Sequence, residues 1–282
     1  MPGGLPYDSL FLRSKLILQL VPVALAAPAA LAGLAYLNAR TGLAYDFYLI
    51  GGLIKCRIKG SVREKKDRLN LFYILEEHAL GKLANKVLLI FEGRQWTYKE
   101  VYDTALKYGT WLKKTYGIKS KEIVAMDFMN SDQFIFVWFG LWSIGAKPAF
   151  INYNLASKAL SHCLRVSTAR IALIDPAMQE NITQNLRDEL PDIQIEIFTP
   201  QLQAEAMAIE PIRQPDSERS ENKLENMAIL IYTSGTTGLP KPAIVSWNKV
   251  ITGANIVPWW LHFKTTDIFY SVCLPHTANI QC

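Results

Sequence analysis

The chain has 282 residues, enough for one or two sizeable hydrophobic cores, and half of its residues are hydrophobic. Its net charge of +5 equals the excess of seven basic over two acidic residues between Lys55 and Arg68. Because a nucleic-acid-binding protein usually spreads its basic patch over the folded domain, this local cluster argues against nucleic acid as a partner. The cysteines form no CxxC metal or redox pair and are predicted to be free thiols. They are Cys56, Cys163, Cys273 and Cys282.

Residues 16–39 form the first predicted element after a short tail of residues 1–15. This run of 24 positions contains no charged residue and is bracketed by Lys15 and Arg40. About 20 apolar residues span a bilayer core as a helix, so the run predicts a transmembrane or membrane-inserted helix. Two alternatives stay open: a cleaved signal peptide, which has a basic start and small residues near the cut, and a buried core helix, which would be shorter and more amphipathic.

Residues 40–69 are predicted to form a basic interfacial segment. Its apolar half, Leu43 to Ile54, is too short to span a bilayer and is expected to lie in the interface. The basic cluster follows, and basic residues beside a span favour the cytosolic side. We therefore expect the folded domain to face the cytosol, on a membrane whose identity (endoplasmic reticulum, peroxisome, lipid droplet or plasma membrane) the sequence does not determine.

From residue 70 onwards, predicted helices and strands alternate. Thr97 and Glu100 have the spacing of a capping box at a helix start, and Gly117 is predicted to end that helix. The alternation predicts an α/β fold with a parallel sheet covered by helices on both faces. The predicted strands are 123–128, 170–175 and 193–198, and another strand is predicted to begin with residues 149–151. The predicted helices are 131–144, 155–166 and 178–190.

Two further stretches of this part are informative. An aromatic stripe is predicted to belong to the hydrophobic core rather than to a cofactor site. It consists of Phe134, Phe136, Trp138, Phe139 and Trp142. The polar stretch 201–226 is predicted to be a surface loop before the next strand.

A loop rich in hydroxyl side chains joins two predicted strands, 227–232 and 243–246. Between Thr233 and Lys241 it holds four hydroxyls, two glycines and one lysine. Gly235 and Gly238 let the backbone turn several N–H groups towards one point, and the lysine adds a mobile positive charge. This composition predicts a site for the phosphates of a nucleotide, and an ordinary Gly/Thr-rich hairpin turn is the alternative. A Walker-type NTPase is disfavoured, because a Walker A loop opens a helix whereas Pro242 and a strand pattern follow here.

The ten residues 232–241, YTSGTTGLPK, resemble the signature loop of the adenylate-forming (AMP-binding) superfamily. Two more blocks, residues 128–155 and 160–176, are similar to the fatty-acid transport protein and very-long-chain acyl-CoA synthetase family, most closely to its fungal members. The resemblance implies that residues 70–282 form part of the large N-terminal domain of the adenylate-forming fold, with layered, mostly parallel sheets and flanking helices.

The resemblance also implies a two-step ligase reaction. The carboxylate of a long-chain or very-long-chain fatty acid attacks the α-phosphate of Mg-ATP, and the thiol of coenzyme A then displaces AMP. Lys241 and Thr236 are the implied catalytic residues, and His276 stands near the family's active-site histidine, with a chance histidine as the alternative. The implied nucleotide-binding residues are Tyr232, Thr233, Ser234, Gly235, Thr236, Thr237, Gly238 and Lys241. No residue of the chain is assigned as a ligand of Mg²⁺.

The family's later motifs and its small C-terminal domain have no counterpart before Cys282. Three interpretations stay open: a truncated gene model or splice product, a fragment of a longer enzyme, or a short membrane protein that binds lipid or a partner without catalysis. We expect this chain itself to have little or no ligase activity. Chain-length preference and oligomeric state are not predicted.

Overall fold

A computed structural model describes residues 28–233 and 238–270. The chain divides into two compact units, one up to Lys55 and the other from Cys56 onwards. The described helices are α1 (residues 28–41), α2 (Leu43–Lys65), α3 (Phe72–Ala79), α4 (Tyr98–Tyr116), α5 (Asp132–Ser143), α6 (Ser157–Val166), α7 (Gln184–Glu189), α8 (Pro200–Ala208) and α9 (Trp247–Trp260). The strands are β1 (Val87–Phe91), β2 (Arg94–Thr97), β3 (Ile123–Asp127), β4 (Lys147–Ile151), β5 (Ile171–Ile174), β6 (Gln194–Ile197), β7 (Met227–Thr233) and β8 (Lys241–Ser246).

The predicted membrane helix of residues 16–39 falls partly outside the described residues, which begin at residue 28. Residues 28–39 belong to α1. Within the part of the chain that the structure describes, no helix combines the length and the apolar character needed to cross a bilayer. The membrane helix therefore stays a prediction. The predicted interfacial segment, residues 40–69, contains α2.

The main sheet has six strands in the order β6-β5-β3-β4-β7-β8. Its first five strands are parallel, and β8 runs antiparallel to β7 at the edge. Helices connect the parallel strands, because neighbouring parallel strands need a crossover connection. The predicted α/β fold with a mostly parallel sheet is confirmed. A separate antiparallel hairpin, β1–β2, precedes α4.

Both faces of the sheet are covered, because successive side chains of a strand point to opposite faces. Val124 and Met126 of β3 belong to one core cluster, together with the buried side chains of α3, α4 and α5. Ala125, between them, belongs to a second cluster with the buried side chains of α6 and α7. The same alternation holds in β5, where Leu173 and Ile174 lie in different clusters. Burial on both faces explains why β5 is apolar without interruption.

The predicted capping box at the start of α4 is confirmed. The Thr97 hydroxyl accepts a hydrogen bond from the Glu100 backbone N–H at 3.2 Å, and the Glu100 carboxylate accepts one from the Thr97 N–H at 2.7 Å. The helix ends at Gly117, as predicted. The aromatic stripe of α5 is also confirmed as core: Phe134, Phe136 and Trp142 are buried, and its other two members pack against the same cluster.

Two expectations about the second half of the chain are wrong. Residues 178–190 do not form one helix, since a 3₁₀ turn (Pro176–Asn181) is followed by the short α7. The Thr183 hydroxyl starts α7 by accepting the Leu186 N–H at 3.2 Å. The polar stretch 201–226 is not only a surface loop, because it contains most of α8 and ends in a tightly packed region around Arg219, whose side chain is buried.

Candidate functional site

The predicted phosphate loop opens at the carboxyl end of β7. The carboxyl ends of parallel strands meet at one edge of a sheet, which is where open α/β sheets usually bind their ligands. β3, β4 and β5 end at the same edge. The loop after β7 therefore lies at the edge of the sheet where open α/β folds usually bind their ligands.

The neck of the loop is set by the pairing of β7 with β8. The register places Thr233 opposite Lys241, with Tyr232 opposite Pro242 one step further into the sheet. The Thr233 hydroxyl donates to the Lys241 carbonyl at 3.5 Å. Lys241 is exposed, so its ammonium group is free to meet an anionic ligand in solvent. β8 continues from Lys241 as a strand, which confirms that the loop does not open a helix in the Walker manner.

Part of the loop lies outside the described residues. This holds for Ser234, Gly235, Thr236 and Thr237, and for the distant His276. Their assignments to the site stay predictions. Gly238 is described and has φ +86°, a left-handed conformation that side chains other than glycine rarely adopt. The backbone at this position thus needs glycine.

Tyr232 ends the buried part of β7 and is oriented towards α6. Its side chain is 6% exposed, and its hydroxyl donates to the Cys163 carbonyl at 2.8 Å. Burial, and to a smaller extent the neighbouring Cys163, raises the pKa of the Tyr232 hydroxyl. Tyr232 therefore acts as a neutral hydrogen-bond donor at the start of the loop, and its place in the nucleotide site stays a prediction.

The other end of the loop is tied to the same helix. The Nε2 atom of His162 lies 3.1 Å from the carbonyl oxygen of Pro240, the residue before Lys241. Sequence reasoning missed His162, and nothing in the local pattern singles it out, because its partner lies 78 positions away. The neighbouring Cys163 is a buried free thiol, as is Cys56. Burial, with the charge of Asp127 second, raises the pKa of Cys163 to about 12, so this thiol is not a nucleophile at neutral pH.

Asp127 is a second feature that sequence reasoning missed, because it ends an apolar strand. Its side chain is fully buried, and neither carboxylate oxygen has a hydrogen-bond partner among the described residues. Burial, reinforced by the charge of Asp175, raises the pKa of Asp127 to about 7. Asp175 itself accepts hydrogen bonds from the backbone N–H groups of Ala177 at 3.0 Å and Met129 at 3.3 Å.

The described residues contain no ready-made cluster of metal ligands. Across residues 28–233 and 238–270, no three His, Cys, Asp or Glu side chains converge as ligands of one ion. A Mg²⁺ ion bound with ATP usually keeps several waters and takes ligands from the phosphates.

Comparison with known proteins agrees with this fold. Residues 75–278 match the AMP-binding enzyme family. The chain is 32% identical over 261 residues to a very long-chain fatty acid transport protein of Cochliobolus heterostrophus, covering 90% of this chain and 40% of the relative. It is 34% identical over 197 residues to the protein of the same name from Saccharomyces cerevisiae, covering 67% of this chain and 29% of the relative. The chain thus spans less than half the length of these two relatives.

Solved structures share the fold. An o-succinylbenzoate CoA synthetase of Bacillus subtilis in complex with its acyl-adenylate intermediate superposes with a TM-score of 0.56 at 18% identity, covering 68% of this chain and 47% of that chain. The anthranilate CoA ligase AuaEII in complex with anthranoyl-AMP gives a TM-score of 0.52 at 24% identity, covering 64% of this chain and 34% of that chain. The predicted resemblance to the fatty-acid transport proteins is confirmed by the sequence relatives, and the chain belongs to the AMP-binding enzyme family.

Proposed function

We propose that this chain is the ATP-binding part of a long-chain or very-long-chain fatty acid–CoA ligase linked to fatty acid uptake. The proposal rests above all on the hairpin loop at the carboxyl end of β7, where an exposed Lys241 stands opposite Thr233. The fungal relatives, which are very long-chain fatty acid transport proteins, support the choice of substrate. Structural neighbours that hold acyl-adenylates support the choice of chemistry.

In this proposal the loop binds the β- and γ-phosphates of ATP. The fatty acid carboxylate attacks the α-phosphate, pyrophosphate leaves, and the thiol of coenzyme A later displaces AMP. Transfer at phosphorus depends mostly on positioning and on stabilising negative charge. Lys241 supplies the positive charge, Thr236 and the other hydroxyls supply donors, and His276 is a further candidate near the acyl and nucleotide site. A bound Mg²⁺ would neutralise phosphate charge.

Lys241→Ala tests the proposal directly. We expect the purified chain to bind Mg-ATP, measured by titration calorimetry, and the variant to bind at least about tenfold more weakly, because a charge-assisted contact contributes about 1.5–3 kcal/mol. Lys223→Ala is the matched control, since this exposed lysine precedes the opposite end of β7. Equal affinity of Lys241→Ala and wild type would refute the phosphate-loop assignment.

The same variant separates the proposal from a non-catalytic lipid-binding module. If the chain only bound fatty acid, Lys241→Ala would leave fatty acid binding unchanged and no ATP-dependent event would exist to lose. ATP-dependent pyrophosphate release with a long-chain fatty acid, abolished in the variant, would support the ligase and would contradict the expectation that this chain has little or no activity by itself.

We further propose that residues 16–39 anchor the chain in a membrane with the folded domain facing the cytosol. The uncharged run of 24 positions and the basic cluster from Lys55 to Arg68 support this. Alkaline carbonate extraction of cell membranes, comparing the full chain with a variant that lacks residues 1–41, tests it. Release of the full chain into the soluble fraction would contradict an inserted anchor.

A further inference from the structure

Both ends of the phosphate loop are attached to two adjacent residues of α6. At the entrance, the Tyr232 hydroxyl donates to the Cys163 carbonyl at 2.8 Å in a buried setting. At the exit, His162 Nε2 lies 3.1 Å from the Pro240 carbonyl. We propose that α6 clamps the loop and that His162 is a positioning residue for it. This inference rests on the proposed function, because it assigns a task at that same loop.

The clamp can be rigid because α6 is firmly fixed to the sheet. Leu160, Cys163 and Leu164 are fully buried on one face of the helix, in the cluster that covers the sheet beside β4 and β5. Residues three and four apart lie on the same helix face, so this apolar stripe determines the rotation of α6. That rotation leaves His162 half-buried at the edge of the stripe. α6 also contacts β8, which begins at Lys241.

The exit contact has a defined direction. A carbonyl oxygen can only accept, so the bond requires the hydrogen of His162 to be on Nε2. Pro240 has no N–H, and its carbonyl is its only backbone hydrogen-bonding group. The anchored carbonyl belongs to the peptide bond that leads into Lys241. Holding this peptide bond therefore limits where the Lys241 ammonium group can reach.

This position suits a positioning role better than a catalytic one. The Nε2 atom is already engaged by Pro240, so it is not free to move a proton to or from a substrate. The described residues also contain no group of three metal ligands that would include His162. The His162 ring instead gives the Pro240 carbonyl a hydrogen-bond donor that water would otherwise supply.

Four variants test the clamp. His162→Ala removes the donor, and His162→Gln places an amide N–H near the original Nε2 position. His162→Asn keeps a donor that is too short to reach Pro240. Arg165→Ala is the matched control, because Arg165 is an exposed cation on the same helix whose contact is the Glu189 carbonyl at 3.2 Å, not the loop.

Two measurements are made on the full chain. The first is amide hydrogen exchange without nucleotide, read at Leu239 and Lys241, with peptides from β3 and β5 as internal references for global folding. The second is the dissociation constant for Mg-ATP. Loss of one hydrogen bond predicts about fivefold faster exchange at the loop exit and about five- to tenfold weaker Mg-ATP binding in His162→Ala and His162→Asn. We expect His162→Gln to stay within about twofold of wild type, and Arg165→Ala to match it.

Three other results would each refute one of the hypotheses. Unchanged exchange at Leu239 and Lys241 in His162→Ala overturns the clamp, whatever happens to ATP. Faster exchange with unaltered Mg-ATP affinity overturns the positioning role. Faster exchange that His162→Gln restores, in a chain whose wild type binds no Mg-ATP, supports the clamp and instead refutes the proposed function.

Discussion

The free energy of unfolding of this protein is expected to fall as the pH rises towards 7, because Asp127 is buried. Replacing Asp127 with asparagine should remove this contribution. The Asp127 side chain is fully buried at the end of β3, and its carboxylate oxygens have no hydrogen-bond partner among the described residues. An ionised carboxylate in such a place is costly because nothing replaces its lost hydration. Burial and, second, the charge of Asp175 accordingly raise the pKa of Asp127 to about 7.

The size of the effect follows from the two pKa values. Aspartate in an unfolded chain has a pKa of about 3.9. Because the folded-state pKa is higher, the folded protein keeps a proton on Asp127 between about pH 4 and pH 7 that the unfolded chain has released. The free energy of unfolding therefore falls as the pH rises through this window and is constant above it. At about 1.4 kcal/mol per pKa unit, the roughly three units amount to about 4 kcal/mol.

Urea unfolding followed by tryptophan fluorescence, repeated from pH 4 to pH 8, measures this contribution. Asparagine carries no charge, so the stability of Asp127→Asn relative to wild type should increase by about 4 kcal/mol over the range, with the variant more stable at pH 8. Asp192→Asn, at an exposed aspartate, is the control and should differ from wild type by a constant amount. The reasoning is refuted if the difference between Asp127→Asn and wild type stays flat from pH 4 to pH 8.

Gly109→Ala and Arg219→Ala, with Gly253→Ala as a control for the first, test the packing of the domain, again by urea unfolding. A Cβ atom added at Gly109 of α4 would lie 2.6 Å from the Gly140 carbonyl oxygen of α5, so Gly109→Ala should lower the free energy of unfolding by about 1–3 kcal/mol. Gly253→Ala, in α9 with open space around it, should be neutral or stabilising by up to about 1 kcal/mol, and equal effects of the two would contradict the close approach of α4 and α5. Arg219→Ala should cost about 1–3 kcal/mol, because the buried guanidinium donates to the carbonyl oxygens of Ser143 and Gln214, and its loss leaves buried acceptors without this donor. A loss below about 1 kcal/mol would show that Arg219 is not structurally required.

Local features of the fold could be predicted because both partners of each interaction lie close together in the chain. The capping box of Thr97 and Glu100 is completed within one helical turn, so the sequence alone determined where α4 begins. The apolar runs of β3 and β5 likewise identified buried parallel strands. Local pattern failed at residues 178–190, where the Thr183 cap starts a new helix inside a stretch that was predicted to be one helix.

The sequence predicted the loop between β7 and β8 as a phosphate site from its composition, but it did not predict which residues surround the loop. Its glycines, hydroxyls and lysine stand together in the sequence, so their shared chemistry could be inferred without a fold. The pairing that sets Thr233 opposite Lys241 follows from a strand, a loop and a second strand in succession. Helix α8 and the burial of Arg219 were missed because the polar composition of residues 201–226 conceals how their side chains pack against distant elements.

The sequence by itself determined which chemical groups the loop carries and so predicted its chemistry, and only the tertiary structure decided which residues hold the two ends of the loop. His162 reaches Pro240 across 78 positions, and the Cys163 carbonyl meets the Tyr232 hydroxyl across 69. Both contacts depend on the rotation at which the apolar stripe of α6 packs against the sheet. The burial of Asp127 depends in the same way on the helices that cover its face of β3. Such contacts join residues that lie far apart in the sequence, and no local sequence pattern links them. They can be recognised only in the assembled fold.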